Sequence, residues 1–560
     1  MWKRVKGHEI DPDEIFLDSS NLPGRDDPRL EARVVGPLER NAIIGVGVAF
    51  VLTFLTFSAR VFDLGIINGN VYADVSRENR LEHSVLFATR GSILDRAGKK
   101  LAWSEALPAS SSPFALRRYS ALPGFSLLLG FVRYPKADAR GAWWREETTG
   151  ISGVEGAYDS VLGGANGRKM IEIDALGNVE ALSLVEPPQD GDDVTLSIDA
   201  EVQSKLFTLL SEHGSAQGFV GGAAVIMDVR SGELLALVSF PEYNNRAFTD
   251  GAIEEVQSAS SDIHSPLLNR AISGLYTPGS IVKPIFAAAA LNEDIITPEK
   301  EIFSTGAITI PNPYYPDRPS IYRDWTVHGQ IDMREALAVS SDEYFYTIGG
   351  GYEAQKGLGI QLLDEYARLF GLGAPTGIAL AGEAGGVIPT PEWKEKVFGD
   401  GEQWLLGNTY HTAIGQYGFQ VTPIQAAVFT AAIANGGKIL QPVVLANAAP
   451  RFRDVGISKN NLQVVKEGMR LAVTSPRWDA TVKILNIPGI QIAAKTGTAQ
   501  IGAHNEFINS WSVGFWPSRD PHYAYAAVLE KAPAGTLSGA APALRSFFEW
   551  LVWNKPEYIN

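Results

Sequence analysis

From Ala42 to Ala59 the chain reads AIIGVGVAFVLTFLTFSA, eighteen residues without a charge. A bilayer-crossing helix needs about 20 apolar residues, and Val61-Phe62 extend the run if Arg60 snorkels toward the headgroups. A buried core helix is the competing reading. A cleaved leader fits poorly, because some 40 residues precede the run and it is too long for a signal core. Arg25, Arg29, Arg33 and Arg40 stand just before it, and after Arg60 no basic residue follows until Arg77. That bias keeps the N-terminus in the cytoplasm and sends the rest of the chain outside. The expectation is a cytoplasmic tail over 1–40, punctuated by Pro12, Pro23, Pro28 and Pro37, and a single anchor over 41–62.

The remainder has the balance of a folded protein. With 560 residues, 45% hydrophobic and 20% charged, three or four structural units are expected at about 150 residues each. A net charge of -15 argues against an electrostatic grip on nucleic acid. There is no cysteine, which excludes disulfide scaffolds, thiolate metal sites and thiol nucleophiles. Residues 65–200 mix short alternating stretches with Gly-rich turns, and a boundary is expected near 200–215. Beyond it, Ala223–Met227 and Leu234–Val238 are apolar runs joined by the turn-forming Asp228–Glu233, which reads as a buried hairpin. Ser512–Phe515 and Tyr523–Leu529 flank Pro517–Pro521 in the same way. Helical patterns lie between the two hairpins. The predicted class is α+β, with an antiparallel sheet closed by early and late strands and helices on its faces.

Three short segments carry the chemistry. Thr277-Pro278-Gly279-Ser280-Ile281-Val282-Lys283 reads as a turn entering a helix, where Lys283 at i+3 shares a face with Ser280. A serine needs a neighbouring base, and a lysine serves when burial lowers its pKa. Ser280 near a helix start also sits where backbone N–H groups can hold an oxyanion. Lys495-Thr496-Gly497-Thr498 follows the apolar run Ile490–Ala494 and offers a charge, two hydroxyls and close backbone approach. Ser340-Ser341-Asp342 places a second hydroxyl in a polar turn. Taken singly, each is as readily a helix cap or a lysine before a turn. Ser19-Ser20-Asn21 and Ser458-Lys459-Asn460 compete for the second role; the first lies in the tail, and the second reads as a cap for a helix running from Leu462.

The ordered trio Ser-x-x-Lys, Ser-x-Asp, Lys-Thr-Gly-Thr is similar to the active-site signature of penicillin-binding proteins and serine β-lactamases. Arg90–Gly98 (RGSILDRAG) and Gly153–Tyr158 (GVEGAY) resemble two pedestal boxes of the class B penicillin-binding proteins. Gly371–Ile378, Gly415-Gln416-Tyr417-Gly418 and Thr422–Gln425 resemble transpeptidase segments of the same family. Asp342 stands where many members have Asn; this resembles the elongation-type subgroup, and an ionised Asp only accepts hydrogen bonds, so pairing with Lys283 or ordering Ser340 is its expected role. The resemblance implies a non-catalytic, dimerisation-type pedestal over 63–205 and a transpeptidase domain over 206–560. It further implies D,D-transpeptidation of peptidoglycan stem peptides with β-lactams as trapping ligands. The catalytic set is then Ser280, Lys283, Ser340, Asp342 and Lys495. Thr496, Gly497 and Thr498 bind substrate, and the backbone N–H groups of Ser280 and Thr498 form the oxyanion hole. No cofactor is implied. Some relatives hold a metal between the first two motifs; Asp317, Asp324 and His328 are weak candidates for a remnant, and the missing cysteine argues against zinc. Implied partners are the membrane, a polytopic glycan polymerase of the rod complex and its associated elongation proteins. Alternatives are a division-specific transpeptidase, a membrane-anchored β-lactamase, a β-lactam sensor and an inactive scaffold.

Overall fold

The computed structural model describes residues 40–78, 81–108, 112–173, 179–312, 315 and 317–559. Apart from Arg40, the tail expected over 1–40 lies outside these residues. The chain forms two compact units, one built from the chain up to Glu82 with Ile171–Ala181, the other from His83–Met170 and Leu182–Asn560. In the smaller unit, α1 (Arg40–Phe62) is 23 residues long with none buried. At 1.5 Å per residue it reaches about 35 Å, enough for a hydrocarbon core of about 30 Å. Its Thr53 and Thr56 hydroxyls donate back to the carbonyls of Ala49 and Leu52 at 2.8 Å, so neither polar group needs an outside partner. Arg60 closes the apolar stretch by pairing with Asp63 at 2.7 Å.

The larger unit is organised by one sheet. Its strands are β1 (Gly221–Asp228), β2 (Leu234–Phe240), β3 (Ala493–Ile501), β4 (Phe507–Trp516) and β5 (Tyr523–Pro533), in the order β2-β1-β5-β4-β3. Every neighbouring pair is antiparallel, and the closing pair joins the first strand to the last, with Ala224 opposite Ala527. Because both faces are covered, β1, β2 and the first part of β5 read as continuous apolar runs rather than alternating ones. On one face Ala223, Val225 and Met227 pack in the same core as α7 (Pro423–Ala434), all of whose residues are buried. On the other, Ala224 and Ile226 meet α2 (Ala200–Ala216) and α9 (Ala540–Asn554) through Val202, Leu206, Phe547 and Phe548. Asp199 caps α2 by accepting from the N–H groups of Glu201 and Val202.

The stretch expected as a pedestal contributes Ile93, Leu101, Leu129 and Val154 to the same core as α7. Its two sequence boxes are tied by charge. Glu155, fully buried, receives Arg90 Nε at 2.6 Å on one oxygen and Arg117 Nε at 2.6 Å on the other. Arg90 also reaches Asp159 at 2.6 Å and the Glu155 carbonyl at 2.8 Å. Such a network contributes little net stability when intact, but removing the shared anion leaves the buried Arg117 guanidinium without its ion pair and Arg90 with Asp159 alone. Glu155→Gln is therefore expected to cost about 3–5 kcal/mol, read by urea unfolding of the full chain in detergent; a loss below about 1 kcal/mol would contradict the account.

Candidate active site

The turn that carries Ser280 is seated on glycine backbone. Gly279 (φ 56°) donates its N–H to the carbonyl of Gly415 at 3.0 Å. Gly415 itself has φ 74°, and a Cβ there would stand 2.2 Å from the Gly279 carbonyl oxygen. The Gly-Gln-Tyr-Gly segment is thus the floor under Ser280. Trp511 adds a second tether, its indole N–H donating to the Thr277 carbonyl at 3.0 Å. Ser280 lies in a single 3₁₀ turn, Gly279–Val282, that runs into α3 (Lys283–Asn292). Pro284 sits in the first turn of α3, where no intrahelical N–H partner is lost, and every residue of α3 but Asn292 is buried.

The second motif is a bend between helices. α4 (Met333–Val339) ends at Ser340, which adopts the left-handed conformation at φ 59°. α5 (Asp342–Gly350) begins immediately after, capped by Ser341. A non-glycine residue held there is strained, and its surroundings must enforce it. Lys283 does so: its Nζ donates to the Ser340 carbonyl at 2.8 Å and to Asp342 Oδ1 at 2.6 Å, and stands 3.4 Å from Ser340 Oγ. Among the described residues the Ser280 hydroxyl makes no side-chain hydrogen bond. The i+3 contact expected from spacing is not made, because a carboxylate outcompetes a neutral hydroxyl for the amine.

Lys495, on β3, completes the set from the far side. Its Nζ is hydrogen-bonded to Ser340 Oγ at 2.7 Å and to the Thr496 carbonyl at 2.9 Å. Full burial pulls its pKa well below the usual ammonium range; the Lys283 charge pushes the same way and Asp342 opposes. A Cβ on Gly497 would lie 2.7 Å from the Pro278 carbonyl oxygen, so only glycine lets β3 pass this close to the nucleophile turn. Ser280, Ser340, Asp342, Thr496, Gly497 and Thr498 line one cleft of about 610 Å³, with both lysines buried behind them.

Asp324 and His328 belong to a buried cluster that supports this bend. His328 Nδ1 is 2.8 Å from Asp479 Oδ2, and its Nε2 is 3.5 Å from Asp324 Oδ1. Asp324 Oδ2 accepts from the Ser341 hydroxyl at 2.6 Å and the Glu343 N–H at 2.9 Å. Burial alone would lower the His328 pKa, but the two carboxylates raise it. Burial opposes ionisation of Asp324, yet His328, Lys283 and Ser341 hold it at about 2. Arg477 completes the neutralisation at 2.9 Å from Asp479. Asp317 is exposed and shares no bond with the other two metal candidates. Among the described residues no group of three His, Asp or Glu side chains is placed to hold an ion.

Several residues at the site were not singled out by sequence. Trp325, donating its indole N–H to the Val339 carbonyl at 3.1 Å, and Trp478, 6.2 Å from it edge to face, wall the first cleft. A second cleft of about 770 Å³ also opens on Ser280 and contains Tyr322, Tyr346, His411, Gln416 and Gln500. A lone His or Trp inside an unpatterned segment carries no signal until the fold brings it to the nucleophile.

The sequence pattern of the penicillin binding protein transpeptidase domain matches residues 222–549, and that of the penicillin-binding protein dimerisation domain matches 113–196. The peptidoglycan D,D-transpeptidase MrdA of Haemophilus influenzae is 30% identical over 474 residues, 78% of this chain and 69% of that one. Among solved structures, Pseudomonas aeruginosa PBP2 in complex with WCK 5153 superposes with a TM-score of 0.70 at 28% identity, covering 86% of this chain and 98% of that one. Helicobacter pylori PBP2 in its complex with MreC gives 0.70 at 27%, covering 84% and 98%. With the three motifs gathered around one serine and a relative this similar along most of its length, the chain belongs to the penicillin-binding protein transpeptidase family of serine acyl-transfer enzymes and is similar to penicillin-binding protein 2.

Proposed function

We propose that the chain cross-links peptidoglycan stem peptides during cell-wall elongation, with Ser280 as the acylated residue. The observation that carries the reading is the convergence of Lys283, itself paired with Asp342, and of Lys495 on Ser340 beside an unencumbered Ser280 hydroxyl. Ser280 attacks the carbonyl of the terminal D-Ala-D-Ala bond and Lys283, once it has given up its own proton and is neutral, takes the one from Ser280, Asp342 stabilising the ammonium that re-forms. The Ser280 and Thr498 N–H groups hold the oxyanion. Ser340 gives its proton to the departing D-alanine amine and recovers one from Lys283, 3.4 Å away. Lys495, fully buried and bonded to Ser340, orients that relay from behind. The substrate carboxylate then falls to the Thr496 and Thr498 hydroxyls, which face the cleft. An amine from a neighbouring stem resolves the acyl-enzyme.

In this reading residues 63–205 are the pedestal and 206–560 the catalytic domain, outside a membrane crossed once by α1 with its N-terminus in the cytoplasm. Flanking arginines support that orientation. A polytopic glycan polymerase and rod-complex proteins are the partners; the complex of H. pylori PBP2 with MreC supports this assignment.

A fluorescent penicillin is expected to label the full chain in detergent and to persist for hours, whereas decay over minutes would indicate a β-lactamase. Ser280→Ala should abolish the label with an unchanged melting temperature; covalent labelling of that variant would exclude Ser280. Gly415→Ala is expected to slow acylation about 10²-fold by pushing the nucleophile turn off its floor, measured as the rate of label incorporation. An unaltered rate would mean that the Gly279–Gly415 contact does not position Ser280.

A further inference from the structure

An ammonium acceptor must shed two protons to resolve the acyl-enzyme, and the Ser340–Lys283 path returns only one of them to Ser280, so the other needs a base of its own. An amine acceptor is an ammonium at neutral pH and must lose one proton before it can attack. Lys283 faces Asp342 and Ser340, and Lys495 is sealed behind Ser340. The second cleft beside Ser280 contains one histidine. His411 lies on α6 (Leu406–Ala413), half-buried, its ring set edge-on 5.7 Å from that of Tyr322 and 6.4 Å from that of Tyr346. Tyr346 stands one turn beyond Asp342 on α5, so the same helix presents the Lys283 partner and the wall of His411. Among the described residues neither ring nitrogen of His411 is tied up in a hydrogen bond, and the half-exposed ring is open to the cleft it shares with Ser280.

We propose that His411 is the general base for the acceptor, taking the first proton from the incoming ammonium in the second cleft. The inference rests on the transpeptidase reading. His411 releases that proton to solvent. The neutral amine attacks the ester carbonyl, its C–N bond forms, and the C–O bond to Ser280 breaks. The second amine proton returns to the Ser280 oxygen through Ser340 and Lys283, reversing the path by which D-alanine left. The groups facing His411 leave it free to act as a base. The titratable and charged groups that share its cleft are Tyr322 and Arg323 from the strand Ser320–Arg323, Asp324 just after it, Asp342 and Tyr346 from α5, and Tyr417. Burial pushes the Tyr346 phenol above its usual range, so it carries no charge at neutral pH. Burial lowers the His411 pKa, and the charge of Asp342 opposes this only in part, so the ring is neutral and able to accept.

The test separates the two half-reactions in the full chain in detergent. Acylation is followed with fluorescent penicillin. Aminolysis is followed with a pentapeptide donor ending in D-Ala-D-Ala and with glycinamide or D-alanine as acceptor. His411→Gln and His411→Phe are both expected to lower aminolysis about 10²-fold while leaving acylation within about twofold. Aminolysis preserved in either variant, or falling in step with acylation, would overturn the proposal. On the unaltered chain, aminolysis should lose its rate on the acid side at one pH for both acceptors, below the usual imidazole range; a limb that moves with the acceptor's own basicity would overturn it. Absence of aminolysis in the unaltered chain would instead sink the transpeptidase reading, and this inference with it.

Discussion

The buried amine of Lys283 is the constraint around which the catalytic half of the molecule is arranged. A charged group without exposure survives only with a close counter-charge and filled hydrogen bonds. Asp342 at 2.6 Å and the Ser340 carbonyl at 2.8 Å supply them, and both come from the bend between two helices. Holding that bend requires a left-handed serine, and it is buttressed from behind by Ser341 and Asp324. The His328 cluster then neutralises Asp324. Each layer exists because the one inside it carries a charge.

Much of the fold was legible because burial on both faces writes strands as uninterrupted apolar runs. Ala223–Met227 and Tyr523–Leu529 could be found without knowing that they pair, and their pairing followed from placing early and late strands in one sheet. Helix starts were read less well. The helix after Ser458 begins at Lys459 rather than Leu462, since Lys459, Asn460 and Asn461 give the first turn no apolar periodicity. At the site, spacing singled out Ser280, both lysines and Asp342, which the fold gathers at one cleft, but not their partners. Asp479 is 151 residues from His328, and no local pattern couples them. The i+3 rule placed Lys283 near Ser280, yet it could not weigh a hydroxyl against a carboxylate arriving from another helix. The Gly-Gln-Tyr-Gly segment was visible as a motif, while its reason, contact with Gly279, is wholly tertiary.

The two lysines divide their labour through environment rather than identity. One keeps an anionic neighbour and can carry a proton; the other, without an ion pair, is driven toward the neutral amine. This is the common device of giving like groups different tasks by what surrounds them. It also explains why an Asp rather than an Asn in the second motif suits this chain: an amide would leave the buried ammonium without its counter-ion.

The close approach of bare backbone around Ser280 bears on how such an enzyme can escape an inhibitor. At Gly279, Gly415 and Gly497 there is no side chain to trim or enlarge, and any addition meets main-chain atoms. Variation that spares the chemistry is therefore confined to the rim, where Trp478 is 72% exposed and Leu537 wholly so. Drug-tolerant lineages of this chain would be read there, in altered cleft walls around an unaltered nucleophile.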